Sequence, residues 1–241
     1  MNIDAIYNRL RLSLEEEVTR HNLENQEVQV RCKALTPREA IGNPDHDDYP
    51  ISKGKEVMIE ALFLKTRGQA FTDAFVNKDY RIKDLLRLDL NKQANRAGFI
   101  AALNAVFRHL DLCEKTIHCR DAEPMDCARH LCNVVEGGTK VLLIGHQPRF
   151  LEVLSSHCRL RVIDLDESNI GRDFSGVIIE PRQKTPDAVR WSDFVFATGS
   201  TIVNGTITDF LCPEKSVMFY GVTISAAAKI LGLQSYCHCG H

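Results

Sequence analysis

The chain has 241 residues, and its 30 Lys and Arg against 32 Asp and Glu give a formal net charge of −2 at pH 7. Such a length suits one large or two small domains, and the balanced charge excludes a general attraction to nucleic acid or anionic membrane. No apolar run approaches about 18 residues, so we expect no membrane span. Because the first 18 residues are amphipathic and acidic, unlike a signal peptide, we expect a cytoplasmic protein.

The first half of the chain is predicted to hold strands followed by helices. Apolar spacing and alternation predict, in chain order, a helix over 3–20, strands over 27–35 and 57–64, irregular chain over 68–74, and helices over 80–88 and 91–110. This order is typical of an α+β domain. We predict such a domain over residues 1–120.

The second half alternates strands and helices, which indicates a parallel α/β domain over residues 121–241. The helices are predicted over 125–135, 148–157, 185–191, 201–211 and 224–232. The strands are predicted over 139–145, 160–166, 175–180, 192–199 and 216–221. Near-continuous Val, Ile and Phe in these strands favour a sheet that is covered on both faces.

Four of the predicted strands end in small or polar residues. The ends are Gly145 with His146, Asp164, Thr198, and Gly221. Open parallel sheets bind ligands outside the carboxyl ends of their strands, so these ends predict a ligand crevice. The alternative is that they are ordinary turns, which use Gly, Asp and Thr in any protein.

The segment "FATGSTIVNGT" is the densest cluster of hydroxyls and glycines in the chain. It supplies the candidate ligand-binding residues Thr198, Gly199, Ser200, Thr201, Asn204, Gly205 and Thr206. Ser200 or Thr201 is predicted to cap the following helix and to present backbone amides to an anion. A helix cap without any ligand is the alternative.

A standard dinucleotide site is disfavoured, because "GHQPRF" at the end of the first predicted strand of the second half is not G-x-G-x-x-G. His146 and Gln147 would obstruct a pyrophosphate, and Pro148 lacks an amide donor. Asp164 nevertheless lies 19 residues beyond Gly145, where a carboxylate meets a ribose hydroxyl in nucleotide-binding folds. An adenosine ligand such as S-adenosylmethionine therefore stays open, whereas a P-loop is excluded.

Nine cysteines form an odd set, and a reducing compartment predicts free thiols. Thiolate and imidazole suit soft metals, and the candidate ligands are His118, Cys119, Cys237, Cys239 and His241. Cys127 and Cys132 are expected to be buried in the core. The alternative for the C-terminal group is a polar terminus that binds nothing.

Two polar residues of the first half are further candidates for the site. Glu56 precedes a predicted strand and could reach a crevice between the domains. Asn104 interrupts an apolar helix face, so its buried amide is either a structural bridge or part of the site.

Seven segments together resemble a prokaryotic family that is labelled with heavy-metal chelation and was formerly a domain of unknown function. They are "SKGKEVMIEA", "GQAFTDA", "AALNAVFRHL", "TIHC", "IGHQP", "ATGSTIVNGT" and "FYGVTISAAA". The resemblance spans nearly the whole chain. It implies a domain like the N-terminal domain of enolase, followed by a Rossmann-like domain, with the site between them. It implies no enolase chemistry, because the catalytic barrel has no counterpart.

Three hypotheses follow. The first is a protein that binds a heavy or transition metal, a metal chelate or a metallocofactor precursor in the crevice. The second is a transferase that uses S-adenosylmethionine or a nucleotide. The third is a homo-oligomeric scaffold whose crevice has no ligand, and the hydroxyl-rich segment argues against it.

Overall fold

The computed structural model describes residues 2–23, 29–44, 46–53 and 56–241. The helices are α1 (Ile3–Arg20), α2 (Pro37–Ile41), α3 (Ile82–Leu85), α4 (Gln93–His109), α5 (Glu123–Arg129), α6 (Pro148–His157), α7 (Thr185–Trp191), α8 (Thr201–Asn204) and α9 (Ser225–Leu231). The strands form two sheets, one antiparallel and one mostly parallel. The predicted fold class, an α/β fold with an α+β first part, is thereby confirmed.

The antiparallel sheet consists of β1 (Gln29–Leu35), β2 (Val57–Phe63), β3 (Thr66–Thr72) and β4 (Lys78–Arg81), in the order β3-β2-β1-β4. Helix α4 packs against β2 and β3. The predicted strand 27–35 is found as β1, and its first two residues lie outside the described part of the chain.

The second sheet contains β5 (Lys140–Ile144), β6 (Arg159–Asp164), β7 (Asp173–Phe174), β8 (Val177–Pro181), β9 (Phe194–Thr198), β10 (Ser216–Tyr220) and β11 (Gln234–Tyr236). Their order is β11-β10-β9-β5-β6-β8-β7, and every neighbouring pair is parallel except β7 with β8. The predicted boundary near residue 120 falls in the segment between α4 and α5, and it stays a prediction.

Strand β5 shows why the parallel sheet is buried on both faces. Successive side chains of a strand point to opposite faces. Leu142 and Ile144 accordingly join the larger core cluster, which includes α1, α4 and the antiparallel sheet. Val141 and Leu143 join a second cluster that contains residues of α5 and α6. The parallel sheet therefore separates two cores, as its apolar strands predict.

Local sequence signals account for the helices that were predicted most closely. Asn2 caps α1 by accepting a hydrogen bond from the Ala5 amide at 2.8 Å, and an apolar stripe runs along the buried face. Pro148 stands in the first turn of α6, where its missing N–H costs nothing. The Gln147 side chain accepts from the Phe150 amide at 2.7 Å and starts that helix.

Four predicted elements differ from the structure. The predicted helix 125–135 is α5 followed by a 3-10 turn at His130–Asn133. Residues 68–74, predicted as irregular, belong largely to β3, where Gly68 allows α4 to approach: a Cβ there would lie 2.2 Å from the Ala105 nitrogen. Residues 80–88, predicted as one helix, hold the end of β4 and the short α3. The predicted helix 201–211 is α8 followed by a 3-10 turn at Ile207–Asp209, because Gly205 at φ 77° ends α8.

Asn104 joins the two parts of the molecule. Its fully buried amide nitrogen donates to the carbonyls of Gln69, Val222 and Thr223 at 3.0–3.2 Å, and its oxygen accepts from the Ala226 amide at 2.9 Å. One α4 side chain thus satisfies groups from β3 and from the turn that leads into α9. Of the two roles that the sequence left open, the structure shows the bridge.

Among the described residues, no helix is both long enough and apolar enough to cross a membrane.

Candidate functional site

A cavity of about 660 Å³ lies where the central parallel strands end. Its lining includes Gly145 after β5, Asp164 at the end of β6, Thr198 at the end of β9 and Gly221 after β10. The four strand ends named by the sequence therefore surround one cavity. This is the edge where parallel α/β sheets bind ligands.

The first half of the chain lines the same cavity from the other side. Glu56 precedes β2, Asp73 follows β3, and a loop contributes residues 49–51. His118 and Cys119 come from the segment between α4 and α5. We call this cavity, with walls from both sheets, the crevice.

Position 145, at the edge of the crevice, requires a glycine. Its φ of 93° is unfavourable for other residues, and a Cβ would stand 2.9 Å from the Tyr220 hydroxyl and 3.0 Å from Thr198 Cγ2. Its amide donates to the Ile163 carbonyl at 2.8 Å. The chain therefore turns sharply after β5 and brings backbone to the crevice surface.

Asp164 connects two turns at this edge of the sheet. One carboxylate oxygen accepts from the His146 amide at 2.5 Å, and the other accepts from the Asp166 amide at 2.6 Å. Burial raises the pKa of Asp164, and these two hydrogen bonds oppose the rise. His146 is itself buried in the lining, with its ring 4.4 Å from that of Phe174.

The hydroxyl-rich segment contributes five of its seven candidate residues to the crevice. These five are Thr198, Ser200, Thr201, Asn204 and Thr206. Gly199 lies outside the lining, and a Cβ there would stand 2.9 Å from the Ile224 nitrogen. Gly205 also lies outside it and would place a Cβ 3.6 Å from the Tyr7 hydroxyl. These two glycines therefore serve packing and helix termination.

The predicted helix cap in this segment is wrong. Ser200 occupies the N-cap position of α8, but no side chain makes a capping hydrogen bond there. Thr201 instead donates its hydroxyl to the Thr198 carbonyl at 2.8 Å, and the Ser200 amide donates to the Thr198 hydroxyl at 3.3 Å. Because α8 has one turn, it offers little dipole to an anion. The segment presents hydroxyls rather than an anion-binding helix end.

Carboxylates dominate one side of the crevice, which we call the acidic wall: Glu56, Asp73, Asp164 and Asp166. Burial, followed by the charges of Asp164, Asp73 and Asp166, raises the pKa of Glu56 to about 7. Among the described residues, each charge that shifts this pKa is negative. Arg182 also lines the crevice, but it pairs with Asp209 at 3.1 Å. The charges of these three carboxylates therefore disfavour ionisation of Glu56.

Tyr220, at the end of β10, also lines the crevice. Its hydroxyl donates to the Ile144 carbonyl at 2.9 Å. Burial, then Asp164 and Glu56, raises the pKa of Tyr220 well above its ordinary value. The phenol is therefore neutral and holds the end of β5.

Three cysteines line another part of the crevice, which we call the thiol wall: Cys119, Cys127 and Cys237. Burial, then Cys127, Cys237 and Cys239, raises the pKa of Cys119 far above its ordinary value. Burial likewise raises the pKa of Cys237 to about 12. These two thiols are therefore protonated at neutral pH in the absence of a metal.

His118 is neutral beside the thiol wall. Its Nδ1 donates to the Cys119 carbonyl at 2.6 Å and lies 3.9 Å from the Cys119 sulfur. Burial lowers the pKa of His118 to about 4, against smaller raising effects of that hydrogen bond and of Glu123. The imidazole stays uncharged at neutral pH.

The C-terminal segment is tied down by backbone hydrogen bonds. Ile117 and His241 exchange two of them, at 2.9 and 3.0 Å. The His241 ring faces Glu123 at 3.1 Å and is 60% exposed. Cys239 packs against the core cluster that contains Cys127 and lies outside the crevice lining.

The five predicted metal ligands do not form one metal centre. Within residues 2–23, 29–44, 46–53 and 56–241, no three Cys, His, Asp or Glu side chains are grouped so that they could hold a metal ion. His118, Cys119 and Cys237 line the crevice, whereas Cys239 and His241 lie outside its lining. The predicted burial in the core is found for Cys127 and is wrong for Cys132, which is exposed.

Arg149 holds the loop whose residues 49–51 line the crevice. It projects from α6, is 1% exposed, and bonds to Asp48 in that loop. It also pairs with Glu152 at 2.9 Å and lies 5.8 Å from the Tyr49 ring centre. Residues 49–51 of the loop line the crevice, so this pair holds the first half of the chain against the second.

Sequence reasoning missed three residues of the acidic side. Asp166 follows Asp164 by two positions, so the strand-end argument could have included it. Tyr220 could have been found at the end of β10 in the same way. Asp73 carried no such signal, because its strand β3 was interpreted as irregular chain.

Residues 130–234 match the family model DUF364, which is described as "Putative heavy-metal chelation". This match confirms the resemblance. A DUF364 protein of unknown function from Pyrococcus horikoshii has a similar structure, with a TM-score of 0.55 and 13% identity over 90% of this chain and 79% of that one. A second DUF364 protein of unknown function, from Desulfitobacterium hafniense DCB-2, gives a TM-score of 0.50 and 16% identity over 73% and 72% of the two chains. These likenesses concern the fold. No curated protein matches the chain.

Proposed function

We propose that the crevice binds a small, positively charged complex of a heavy or transition metal with its own ligands. The observation that carries this proposal is the acidic wall. The four carboxylates of this wall line one cavity, and burial together with three like charges raises the pKa of Glu56 to about 7. A bound cation would relieve this repulsion, so positive charge on the ligand is favoured.

The size of the crevice favours a complex over a bare ion. Its volume of about 660 Å³ falls within the range of roughly 300–1,000 Å³ that is common for small-molecule sites. A single ion would leave most of this volume empty. A compact complex of an ion with small ligands would contact both sheets.

The donor geometry also favours an ion that brings its own ligands. In the described part of the chain, no three donor side chains converge as a metal centre requires. The side chains of the acidic wall would therefore contact the outer surface of the complex. The hydroxyls of Thr198, Ser200 and Thr206 would accept or donate hydrogen bonds to its ligands.

The family description is the reason for proposing that the ligand contains a metal. It refers to heavy-metal chelation for residues 130–234, which include Gly145, Asp164 and the hydroxyl-rich segment. The acidic wall combines Asp164 and Asp166 of this range with Glu56 and Asp73 of the first half.

Calorimetry with hexaamminecobalt(III), an inert trivalent complex, tests the proposal. At pH 8 and low salt we expect one complex to bind per chain, and Glu56→Gln to weaken binding about tenfold, since one charge contact is worth about 1.4 kcal/mol. Glu214→Gln makes the same chemical change at an exposed position outside the crevice lining and should bind as the wild type does. Equal binding by wild type and Glu56→Gln would contradict the proposal, and so would tighter binding of bare Co²⁺.

S-adenosylmethionine is the second candidate, because Asp164 lines the crevice at the end of β6 and the sulfonium of this ligand is positive. Both Asp164 oxygens already accept backbone amides, which leaves less of the carboxylate for a ribose. Calorimetry with S-adenosylmethionine on wild type and Asp164→Ala decides this point. Saturable binding that Asp164→Ala abolishes would favour the transferase, and absence of binding to wild type would remove it.

A further inference from the structure

A third wall of the crevice is apolar, and we call it the apolar wall: Ile41, Tyr49, Ile51 and Phe71. The first three belong to one buried cluster of the first half of the chain, and Phe71 packs against that cluster. The Tyr49 hydroxyl is the only polar side-chain atom among these four residues. The crevice therefore combines a carbon surface with the carboxylates of the acidic wall.

The apolar wall is held in place by contacts with later parts of the chain. The Phe71 amide donates to the Thr223 hydroxyl at 3.0 Å. The Phe71 ring meets the His118 ring edge to face, with ring centres 5.2 Å apart. The Arg149 guanidinium of α6 lies 5.8 Å from the centre of the Tyr49 ring. The wall is therefore preorganised, and a ligand binds it without the cost of ordering these side chains.

Leu165 adds an apolar contact from the parallel sheet. It stands between Asp164 and Asp166 of the acidic wall, lines the crevice and is 49% exposed. It is not a member of the core clusters formed by the described residues. Single exposed leucines are common on an open protein surface. This leucine lies in the lining of a cavity, so a ligand that contacts its two neighbouring carboxylates also meets hydrocarbon.

Positive charge on the ligand accounts for the acidic wall, but it gives no role to the apolar wall or to Leu165. Water or ammine ligands of a metal would face carbon surface there and would lose hydrogen bonds to solvent. An aromatic ring would instead remove apolar surface from water on the ligand and on the protein. Carbon-lined cavities with a few polar groups that orient the ligand are the common form of small-molecule sites.

We propose that the crevice binds an amphipathic chelate, in which an organic ligand with an aromatic ring holds a positively charged metal centre. The ring packs against the apolar wall and Leu165, and the charge lies toward the acidic wall. This inference rests on the proposed function and adds the chemical class of the organic ligand. Burial of roughly 80 Å² of apolar surface by one ring corresponds to a gain in affinity of about 30-fold.

Calorimetry with two inert complexes of equal charge tests the inference. They are hexaamminecobalt(III) and tetraammine(1,10-phenanthroline)cobalt(III), in which one aromatic chelate replaces two ammines. At pH 8 and low salt we expect wild type to bind the phenanthroline complex about 30-fold more tightly. Leu165→Ser should reduce this ratio of affinities to below about tenfold, because the ring then loses part of its hydrocarbon contact. Leu12→Ser makes the same change at a 54% exposed position of α1 outside the crevice lining, and it should keep the wild-type ratio.

Two results would overturn the inference: equal affinity of wild type for the two complexes, and an unchanged ratio in Leu165→Ser. Because Leu165 is half-exposed, its replacement should leave the protein folded, and the melting temperature of the variant checks this. Failure of the proposed function gives a different result. Glu56→Gln should weaken the binding of both complexes by the same factor, so the absolute affinities test the charge and the ratio tests the aromatic ring.

Discussion

In both the acidic wall and the thiol wall of the crevice, burial and neighbouring groups raise pKa values, but the groups are carboxyls in one wall and thiols in the other. Burial and like neighbours raise the pKa of Glu56 to about 7, and they raise the pKa of Cys237 to about 12. Carboxylate oxygen is a hard donor and thiolate sulfur is a soft one. In both walls the ionised form of the donor is therefore disfavoured. A hard cation would favour ionisation of Glu56, and a soft cation would favour ionisation of Cys237.

The two walls also differ in how the fold assembles them. Residues of the acidic wall flank strands: Glu56 and Asp73 lie at one end of the paired strands β2 and β3, and Asp164 and Asp166 lie at and just after the end of β6. Cysteines of the thiol wall come from the segment before α5, from α5 itself and from the C-terminal segment. The acidic wall is a property of the two sheets, whereas the thiol wall depends on how the last residues are held.

Asn104→Ala should have the largest effect, because it removes the buried bridge between β3 and the turn that leads into α9. Three carbonyls and the Ala226 amide lose their partner at a fully buried position, which we expect to destabilise the protein by about 3 kcal/mol. Urea unfolding measures this change. Asn8→Ala, at an exposed position of α1, should stay within about 0.5 kcal/mol of wild type. A similar small change in Asn104→Ala would show that the bridge is dispensable.

The stability of Glu56→Gln relative to wild type should depend on pH, and this dependence tests the acidic wall separately from the thiol wall. A folded-state pKa raised from 4.5 to about 7 gives stability that is fully present below about pH 4.5 and is lost as pH rises through 7. A neutral glutamine side chain does not ionise over this range, so the variant should be more stable than wild type by on the order of 2 kcal/mol at pH 8. At pH 4 the two proteins should differ little.

Melting temperatures of wild type and Glu56→Gln at pH 4 and pH 8 check this expectation. Glu214→Gln is the control, and its difference from wild type should not change with pH. If the melting temperatures of Glu56→Gln and wild type differ by the same amount at pH 4 and at pH 8, the charges of the acidic wall do not raise the pKa of Glu56.

His241→Ala should have the smallest effect and concerns the thiol wall. The His241 ring and its partner Glu123 are 60% and 38% exposed, and exposed pairs contribute about 0–1 kcal/mol. Because the backbone pair with Ile117 remains, we expect a change below about 0.5 kcal/mol in urea unfolding. A much larger loss of stability would mean that the ring, rather than the backbone, holds the C-terminal segment.

Local signals predicted much of this fold, and they failed where tertiary contacts decide. Helix α6 was predicted to the residue, because Pro148 marks its start and an apolar face follows. Strand β3 was missed because Gly68 and polar residues weaken its alternation, although Gly68 is what lets α4 pack closely.

The same limit applies to the candidate site. Strand ends such as Gly145, Asp164 and Thr198 could be predicted to converge, since parallel strands share one edge. Asp73 could not be included until β3 was known. Cys119 and Cys237 line the same crevice although they lie more than a hundred residues apart in the chain, and no local pattern encodes this.

The most direct test of the crevice proposal is diffraction from crystals soaked in hexaamminecobalt(III), with data collected at the cobalt absorption edge. We predict one dominant anomalous peak inside the crevice, within contact distance of Glu56, Asp73 and Asp166, and its loss in crystals of Glu56→Gln. A crevice without a peak, or a peak that is equally strong in Glu56→Gln, would contradict the account.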